Sequence, residues 1–324
     1  MSQLSCRYCS LNNLIRVYDF GLAAPSRRFL TPELSTEPEP VEPLVLYRCE
    51  DCGLLQTLAP SFVDADDSSP ATSRHLDVWI QHLRDEIRTR GFVTFDIPDV
   101  LALYESLLCD LVRHETFNYW TLGQLQQFLN EHGLSVHDVQ NSTTMFGTLR
   151  VTVGIRTRTT PQFKEALARE VEAELDSPRT WEDFAFLVEQ SRNLLNSELE
   201  DWQYRCRSMA AYTCSGYGMT TLNLCSACLR IPCLIDENAE LHGYLTPGHR
   251  IPIVGVERLK HERFDLVVLL SPARPPIEKN PLHDYWCAGG RILVPTPKPH
   301  YLKPRELSAP LSAPPEVALF ADFG

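Results

Sequence analysis

Two Cys-x-x-Cys pairs constrain the fold of this chain more than any other feature. The first is Cys6-Arg-Tyr-Cys9 and the second is Cys49-Glu-Asp-Cys52, with short apolar, strand-like runs on both sides of the second pair. Four thiolates presented as two such pairs suit a tetrahedral zinc ion, and a site with four protein ligands leaves no open position for chemistry. The sequence therefore predicts a structural zinc site in a small N-terminal module. Four core cysteines without metal are the alternative.

Length and composition limit the class of protein. The chain has 324 residues, a formal net charge of −12 and a pI near 5.3, which argue for about two domains and against a duplex nucleic acid partner. The 11 cysteines without a recognisable secretion signal argue against a disulfide framework. No apolar run is long enough to span a bilayer. We therefore expect a soluble, cytoplasmic protein that binds neither nucleic acid nor membrane.

A glycine turn marks the second half of the chain. The run Ser208–Cys214 is typical of a buried strand, Gly216-Tyr217-Gly218 breaks it, and a helix is predicted over Met219–Leu229. A second strand, Ile231–Ile235, then ends at Asp236. Glycines at a strand-to-helix turn allow close approach of a diphosphate, and an acidic residue about 20 positions later can bind a ribose hydroxyl. The alternative is a tight turn in an ordinary α/β domain, because Thr221 replaces the third glycine.

Further strands and cysteines follow this turn. Asp265–Leu270 and Arg291–Val294 read as buried, parallel-type strands. Cys225, Cys228 and Cys233 could form a second metal site, but three thiols on a helix and a buried strand favour core packing. The tail from Ser308 to Pro315 is rich in proline and is predicted to lie on the surface.

The middle of the chain mixes helices and strands. The acidic, serine-rich run Pro60–Pro70 is typical of a linker, and the proline-marked insert between the cysteine pairs is predicted to be a loop. Periodicity and capping residues predict three elements before the next polar segment and three after it. These are a helix over Arg74–Arg90, a strand over Phe92–Ile97, a helix over Val100–Val112, a helix over Leu122–His132 capped by Thr121, and strands over Leu134–Val139 and Thr148–Val153 that are expected to pair. Helices over Pro161–Glu174 and Trp181–Cys206 follow.

A polar segment lies between two of these helices. Arg113-His114-Glu115-Thr116 is followed closely by Tyr119, so a cation, an imidazole, a carboxylate and a phenol fall within seven residues. A carboxylate beside a histidine can set its tautomer and raise its basicity, as general acid–base catalysis requires. The segment is therefore a candidate catalytic site. A polar turn between helices is the alternative.

The order of these motifs resembles the nucleotide-sugar C-methyltransferases, which add a branch methyl group to dTDP-ketosugars in antibiotic biosynthesis. The matching motifs are Cys6-x-x-Cys9, Cys49-Glu-Asp-Cys52-Gly53-Leu54, His114-Glu115 with Tyr119, Phe146-Gly-Thr-Leu-Arg150, Gly216-Tyr217-Gly218 with Thr221-Leu-Asn223, Asp236-Glu-Asn238, Tyr244-Leu-Thr-Pro-Gly-His249-Arg-Ile-Pro-Ile253 and Gly289-Gly290-Arg-Ile-Leu-Val-Pro295. The resemblance implies a zinc module, a central S-adenosylmethionine domain and a C-terminal α/β domain that helps to hold the sugar nucleotide.

Two departures from the family pattern stand out. The S-adenosylmethionine domain should lie between Arg90 and Phe92, and only Phe92–Pro98 resembles its last strand. The family's catalytic Tyr-His-Glu-His pattern corresponds here to Arg113-His114-Glu115-Thr116, so a threonine replaces the presumed base and a guanidinium replaces the phenol. The family's tyrosine-serine stretch after the zinc module is also missing from Val63–Ser69. The resemblance therefore predicts no S-adenosylmethionine cofactor and no methyl transfer by this chain alone.

The predicted fold is α/β, with a small N-terminal zinc-binding module and a C-terminal Rossmann-like parallel-sheet domain, the S-adenosylmethionine domain being deleted. The expected segments are 1–58 for the zinc module, 59–90 for linker and helix, 91–160 for a mixed α/β segment with the candidate site, 161–206 for helices, 207–310 for the Rossmann-like domain and 311–324 for the tail.

Three functional hypotheses remain open at this stage. The first is a repurposed enzyme that catalyses isomerisation, epimerisation, cyclisation or elimination, on a dTDP-sugar or a polyketide-like substrate. Its catalytic candidates are His114, Glu115, Arg113 and Tyr119, and its ligand-binding candidates are Arg150, Gly216, Tyr217, Gly218, Asn223 and Asp236. The second is a non-catalytic auxiliary protein that stabilises a partner enzyme, and the third is half of a split methyltransferase. Surfaces left by the missing domain leave a homo-oligomer open.

Overall fold

The computed structural model describes residues 5–34, 36–58, 60, 68–142, 146–205, 208–213, 217–225, 231–270 and 281–303. The chain forms two compact units. The first comprises Met1–Asp19 and Leu44–Phe186, and the second comprises Phe20–Pro43 and Leu187–Gly324. The division falls inside a long helix, whereas the sequence predicted a domain limit after residue 206.

The first unit contains a small sheet around the two cysteine pairs. Its strand order is β1-β2-β3-β5, with β1 at Leu14–Ala23, β2 at Glu42–Cys49, β3 at Leu55–Thr57 and β5 at Asn118–Tyr119. Strands β2 and β3 run antiparallel, with Leu46 opposite Thr57, and β5 extends the sheet by pairing Tyr119 with Leu55. This pairing brings the predicted catalytic segment to the edge of the zinc module's sheet.

A second, antiparallel sheet has the order β4-β7-β6, with β4 at Phe92–Pro98, β6 at Ser135–Asn141 and β7 at Thr148–Gly154. The predicted pairing of the last two strands is confirmed, with Val139 opposite Val151. The helices of this unit are α1 at Leu76–Arg90, α2 at Val100–Glu105, α3 at Leu122–Glu131 and α4 at Pro161–Glu172. Helix α5 spans Pro178–Tyr204, and its residues up to Phe186 also belong to this unit. One core joins Trp79, Phe95 and Phe128 to Cys6 and Cys49 of the zinc module.

The helix predicted over Val100–Val112 is wrong in its length. Helix α2 ends at Glu105, Leu107 adopts a left-handed conformation with φ of 46°, and Cys109–Leu111 forms one 3-10 turn. All of the apolar side chains from Leu107 to Val112 are buried nonetheless. The apolar residues of this buried, irregular segment therefore led to the prediction of a longer helix.

The second unit is built on a six-stranded sheet with the order β10-β9-β8-β11-β12-β13. Its strands are β8 at Met209–Thr213, β9 at Leu234–Asp236, β10 at Ile253–Val254, β11 at Leu266–Leu269, β12 at Arg291–Val294 and β13 at His300–Tyr301, and its helices include α6 at Met219–Leu224, α7 at Arg258–His261 and α8 at Pro281–Cys287. All pairs from β10 to β12 are parallel, and β13 is antiparallel. In chain order the strands read 3-2-1-4-5-6, the doubly wound order of dinucleotide-binding folds.

The insert between the two cysteine pairs belongs to the second unit. Leu30 forms an isolated antiparallel bridge with Leu245, and Phe29 packs against the core of the parallel-sheet unit. The sequence predicted a loop here, and its proline-marked part does lack regular structure apart from the 3-10 turn Pro32–Leu34. The packing of the insert on another unit was not predicted.

No helix among the described residues combines the length and the apolar composition that a bilayer crossing requires. Residues 61–67 of the predicted linker Pro60–Pro70, and the whole of the predicted proline-rich tail from Ser308 to Pro315, lie outside the described residues.

Candidate functional site

The two cysteine pairs adopt the same backbone turn. In the first, the Cys6 N–H donates to Leu11 O at 2.8 Å and the Ser10 N–H donates to Cys6 O at 2.9 Å. In the second, Cys49 and Gly53 make the equivalent bonds at 3.0 and 2.9 Å. The fourth residue after the leading cysteine is left-handed in both, with φ of 63° at Ser10 and 78° at Gly53. Each turn thus presents its two thiols on one side.

The four thiols converge as a metal site requires. Their Sγ atoms all lie within 4.8 Å of one another, and the Cys6–Cys52 and Cys9–Cys49 pairs are 3.5 Å apart. Tetrahedral zinc with Zn–S bonds of about 2.3 Å separates its sulfurs by about 3.8 Å, so these residues fit the ion. Because all four ligands come from protein, zinc bound here would stabilise the fold.

Aromatic and polar contacts tie the metal site to helix α3. Tyr8, between the first two cysteines, packs against the rings of Trp120 and Phe128 with centroid distances of 5.5 Å. Thr121 and Gln124 form a capping box at the start of α3, and the Gln124 Nε2 lies 3.5 Å from Cys52 O. A β-carbon at Gly53 would lie 2.8 Å from that nitrogen. The zinc module and α3 therefore constrain each other.

The predicted catalytic segment forms a turn held by Tyr119. The hydroxyl of this residue accepts from the Arg113 N–H at 3.2 Å and lies 3.2 and 3.3 Å from the carbonyl oxygens of Leu111 and Thr116, to which it can donate. The side chain is fully buried, and burial raises the pKa of the phenol well above its ordinary value. Tyr119 therefore stays neutral and holds the backbone of the segment.

The other side chains of the segment differ in accessibility. His114 is 2% exposed and Thr116 is 3% exposed, whereas Arg113 and Glu115 are half-buried. The Arg113 Nε lies 3.4 Å from the Thr116 Oγ1, so these two side chains contact each other. Of the predicted acid–base candidates, Glu115 is the one that solvent reaches most readily.

A cationic cluster beside this segment was not predicted. The guanidinium groups of Arg7 and Arg74 both lie over the Phe117 ring, with centroid distances of 5.5 and 5.1 Å, and Arg7 also donates to Phe117 O and Gln56 Oε1. Burial, and then the charge of Arg74, lower the pKa of Arg7 to about 10. In the sequence, Arg7 lies between the cysteines of the first pair, where nothing distinguishes it from an ordinary residue of a zinc-binding turn.

Two carboxyl groups, one buried and one half-buried, line a cavity of 160 Å³ in the first unit. Glu170 on α4 accepts from the Leu122 N–H, at the start of α3, at 2.7 Å, and Asp99 caps α2 by accepting from the Ala102 N–H. Burial is the main cause that raises the pKa of Glu170, to about 8, and the charge of Asp99 adds to it. Burial also raises the pKa of Asp99. Glu170 carried no sequence signal, because a carboxylate that caps a distant helix has no local pattern.

Arg150, a predicted ligand-binding residue, is engaged within its own sheet. Its guanidinium donates to both carboxylate oxygens of Asp96 on the neighbouring strand, at 2.9 and 3.1 Å. The two residues are directly opposite in the β4–β7 register. A ligand anion at Arg150 would therefore compete with a bidentate partner.

The glycine turn of the second unit lies at the carboxyl end of β8, where the strand order reverses between β8 and β11. Gly218 is left-handed with φ of 92°, and a β-carbon there would lie 2.4 Å from the Leu270 Cβ. Tyr217 is half-buried, and its carbonyl oxygen accepts from the Thr213 hydroxyl at 2.6 Å. Gly216 lies outside the described residues. The turn has the position that ligand turns occupy in doubly wound sheets.

Asn223 and Asp236 flank this turn. Asn223 is half-buried on α6. A β-carbon added at Gly248 would lie 3.6 Å from its Oδ1. Asp236 ends β9 as predicted, but it is fully buried and its Oδ1 accepts from the Asn238 N–H at 2.7 Å. Its carboxylate thus supports the following loop. Among the predicted ligand residues of this unit that the structure describes, Tyr217 and Asn223 are half-buried, whereas Gly218 and Asp236 are buried.

The described residues agree with core packing of the later cysteines, which the sequence favoured over a second metal site. Cys225 donates to Thr221 O at 3.2 Å, and Cys225 and Cys233 are buried in two different core clusters. Cys228 lies outside the described residues. Among the residues that the structure describes, the four N-terminal cysteines form the only group suited to a metal.

A cavity of 890 Å³ opens at the amino ends of β11 and β12. Its lining mixes the cations Lys260 and Arg263 with the anions Asp265 and Asp284, so it carries no single charge. Ligands of open α/β sheets bind at the carboxyl ends of the strands. We therefore place the candidate ligand site at the opposite edge, beside Gly218.

Comparison with known proteins agrees with this architecture. Residues 143–297 match the family model described as the C-methyltransferase C-terminal domain, and residues 6–67 match the model of a zinc binding domain. The C-methyltransferase NovU of Streptomyces niveus is 28% identical over 225 residues, which cover 65% of this chain and 51% of NovU. The chain thus spans about half the length of the curated relative that it matches.

Proposed function

Because this chain belongs to the C-methyltransferase family, of which it holds the zinc-binding and C-terminal domains and lacks the middle domain, we propose that it binds a nucleotide-linked acceptor without transferring a methyl group to it. The proposed reaction is an isomerisation, epimerisation, cyclisation or elimination. Isomerisation and epimerisation beside a ketone need only removal and return of a proton, so their atoms and electrons balance without a cofactor.

The observation that carries this proposal is the structure of residues 68–142, between the two matched domains, all of which are described. They form α1, β4, α2, β5, α3 and β6, and their strands make only antiparallel pairs. Within the described part of the chain, parallel pairing occurs only among β8 to β12. A doubly wound domain for S-adenosylmethionine therefore has no counterpart in this interval.

The candidate binding turn for the nucleotide-linked acceptor, in the second unit, also supports the proposal. The doubly wound strand order and the left-handed Gly218 at the switch point are the features that bring a diphosphate close to backbone in folds of this class. Helix α6 has only six residues, so we assign the anion contact to the turn and give no separate role to the helix dipole.

The chemical step is assigned to Glu115 in the first unit. A half-buried carboxylate can act as a general base when a substrate covers it, since burial then raises its basicity. Arg113, which replaces the family's phenol, would stabilise an enolate oxygen by its charge. His114 would orient the turn from within, because it is almost fully buried.

The burial of the predicted catalytic segment favours a second, non-catalytic function. His114, Thr116 and Tyr119 all face the interior, as expected when an inherited active site becomes structural. On that reading the chain is an auxiliary protein that stabilises a partner enzyme, or the half of a split methyltransferase that lacks the donor domain. The same experiments separate these functions from catalysis.

The binding half of the proposal is tested by calorimetric titration of the zinc-loaded protein with dTDP, a dTDP-4-ketosugar and S-adenosylmethionine. We expect the two dTDP compounds to bind and S-adenosylmethionine to give no heat. A protein that binds S-adenosylmethionine alone would contradict the proposal, and one that binds none of the three would favour the auxiliary role.

The catalytic half is tested by proton exchange. NMR of the ketosugar in D₂O should show exchange at the carbon beside the ketone, and Glu115→Gln should slow it by about 100-fold or more, the range for loss of a general base. Glu105→Gln is the matched control, because Glu105 is a partly exposed carboxylate in the same unit, paired with Arg169. Equal exchange rates in both variants would remove Glu115 from the mechanism.

A further inference from the structure

The loop after β9 places a histidine at the carboxyl edge of the parallel sheet. The His242 Nε2 lies 2.9 Å from the carbonyl oxygen of Asp236, the last residue of β9. The same ring lies over Gly255, which directly follows β10, because a β-carbon added there would be 2.9 Å from the His242 Cε1. Since β9 and β10 are parallel neighbours, the imidazole lies at the carboxyl ends of both strands.

This histidine is connected to the candidate ligand turn through the ends of two strands. Thr213 ends β8, and its hydroxyl donates to Tyr217 O in the turn at 2.6 Å. In the β8–β9 register Thr213 is directly opposite Asp236, whose carbonyl oxygen contacts His242. Leu241, the residue before the histidine, packs against the hydrophobic cluster to which α6 also contributes. The histidine and the glycine turn therefore lie at the same edge of the sheet.

The contact with Asp236 determines which nitrogen of the neutral His242 ring carries the proton. A backbone carbonyl oxygen can only accept a hydrogen bond, so the Nε2 donates and the Nδ1 keeps its lone pair. Among the described residues the Nδ1 has no hydrogen-bond partner of its own, and the side chain is half-buried and thus partly open to solvent. His242 therefore presents an acceptor of fixed orientation at this edge.

A second acceptor lies beside the first. A β-carbon added at Gly255 would be 3.2 Å from the His242 Nδ1 and 2.4 Å from the Oε2 of Glu257, whose side chain is exposed. Because both atoms accept hydrogen bonds, a ligand group that lies between them has to be a donor. The missing side chain of Gly255 leaves the room for this arrangement.

We propose that His242 accepts a hydrogen bond from the nucleoside part of the nucleotide-linked ligand and so selects nucleosides that present a donor there. In doubly wound sheets the phosphates lie at the turn after the first strand and the ribose at the end of the second, which here is β9. The donor is the ring N–H of an imide base or a hydroxyl of the sugar. The sequence gave this role to Asp236, whose Oδ1 accepts from the Asn238 N–H. This inference rests on the proposed function, because it needs a diphosphate at the Gly218 turn.

The test compares dTDP with two analogues by calorimetric titration. The diphosphate of 3-N-methylthymidine lacks the imide N–H, and that of 2′,3′-dideoxythymidine lacks the sugar hydroxyl. We expect the wild type to bind one of the two about tenfold more weakly than dTDP, the effect of leaving one acceptor without its donor. His242→Gln keeps an amide N–H for Asp236 O but has no acceptor in place of the Nδ1, so its affinities for dTDP and that analogue should agree within about twofold. His261→Gln, the same change at an exposed histidine near the amino ends of the strands, should discriminate as the wild type does.

Nitrogen NMR of the imidazole rings gives a readout that needs only the wild type and so serves even if His242→Gln folds poorly. Long-range proton–nitrogen spectra should show the free His242 ring protonated at Nε2, and the Nδ1 resonance should shift when dTDP is added. A ring protonated at Nδ1, or a wild type that binds dTDP and both analogues equally well, overturns this inference alone. The same holds if His242→Gln discriminates as strongly as the wild type. A wild type that binds none of the three compounds overturns the inference together with the proposed function.

Discussion

The zinc cluster and the segment Arg113–Trp120 lie in the same unit and are joined through one sheet. They differ in how many residues match the pattern that the resemblance to the family implies. The cluster keeps all four ligands in tetrahedral reach. The segment has its turn and its buried tyrosine, whereas an arginine and a threonine stand where the resemblance implies the family's reactive groups. The metal site thus has its full set of ligands, whereas the segment has the backbone turn without the expected reactive side chains.

This contrast shows how differently the two kinds of site depend on their surroundings. A structural zinc site is defined by ligand type and spacing, which a short sequence pattern records completely. A general acid–base site depends on exposure and on neighbouring charges, which are set by distant parts of the chain. Variants of the two regions should therefore differ in size of effect and in the property that changes.

Loss of one zinc ligand should have the largest effect. Cys52→Ser leaves three thiolates, and because structural zinc sites contribute about 10–16 kcal/mol in isolated zinc-finger peptides, we expect the N-terminal module to lose its fold. Zinc content by mass spectrometry and melting by circular dichroism measure the result. Cys287→Ser, at an exposed cysteine on α8, should retain zinc and change stability by less than about 0.5 kcal/mol. Full zinc content in Cys52→Ser would contradict the four-ligand site.

Removing the Tyr119 hydroxyl should have the next largest effect. Tyr119→Phe leaves the Arg113 N–H without its acceptor inside the protein, so we expect a loss of about 1–3 kcal/mol in the free energy of unfolding. Urea denaturation measures it. If the phenol served as a catalytic base, activity would vanish while stability stayed unchanged, and the structural role given to this residue would be wrong.

The two matching turns of the zinc module sharpen the comparison further. Gly53→Ala forces a β-carbon onto a left-handed residue and against Gln124, at an expected cost of about 1–2 kcal/mol. Ser10→Gly changes the equivalent position, which already tolerates a side chain, and should alter stability by about 0.5 kcal/mol or less. Chemical denaturation of both zinc-loaded variants measures the difference. Equal effects would mean that the Gln124 contact does not constrain the second turn.

Glu170 should produce an effect of a different kind, a dependence of stability on pH. Its pKa rises from the model-peptide value of 4.5 to about 8 on folding, so the folded state binds more protons than the unfolded state between these values. Stability should then fall as pH rises from about 5 to about 8, with the contribution fully present below the unfolded pKa. Glu170→Gln should flatten this slope, and Glu172→Gln, at an exposed residue of the same helix, should leave it unchanged. A slope that persists in Glu170→Gln would assign the proton to another group, with Asp99 the nearest candidate.

Local patterns predicted the elements that depend on local interactions. The Thr121 cap and the helix that follows it were predicted because both members of the capping box lie within four residues. The strand–turn–helix unit around Gly218 also follows from local patterns. Helix α6 ends at Leu224, and residues 226–229 of the predicted helix lie outside the described residues. The overlong prediction for α2 failed because burial of Leu108, Leu111 and Val112 is compatible with helix and with irregular backbone alike.

Interactions between distant segments could not be predicted. Glu170 binds the start of a helix 48 residues earlier, and Glu39 binds a glycine 209 residues later. Neither carboxylate has a sequence context that differs from that of a solvated acidic residue. The loop prediction for the insert was reasonable for its Glu-Pro-Glu-Pro composition, but composition does not tell which unit a segment packs against.

One incubation tests the central claim most directly. The zinc-loaded protein is mixed in D₂O with dTDP-4-keto-6-deoxyglucose and S-adenosylmethionine bearing a labelled methyl group, and the sugar is analysed by mass spectrometry. We predict deuterium at the carbon beside the ketone and no labelled methyl group. A methylated sugar would contradict the claim that this chain acts without methyl transfer.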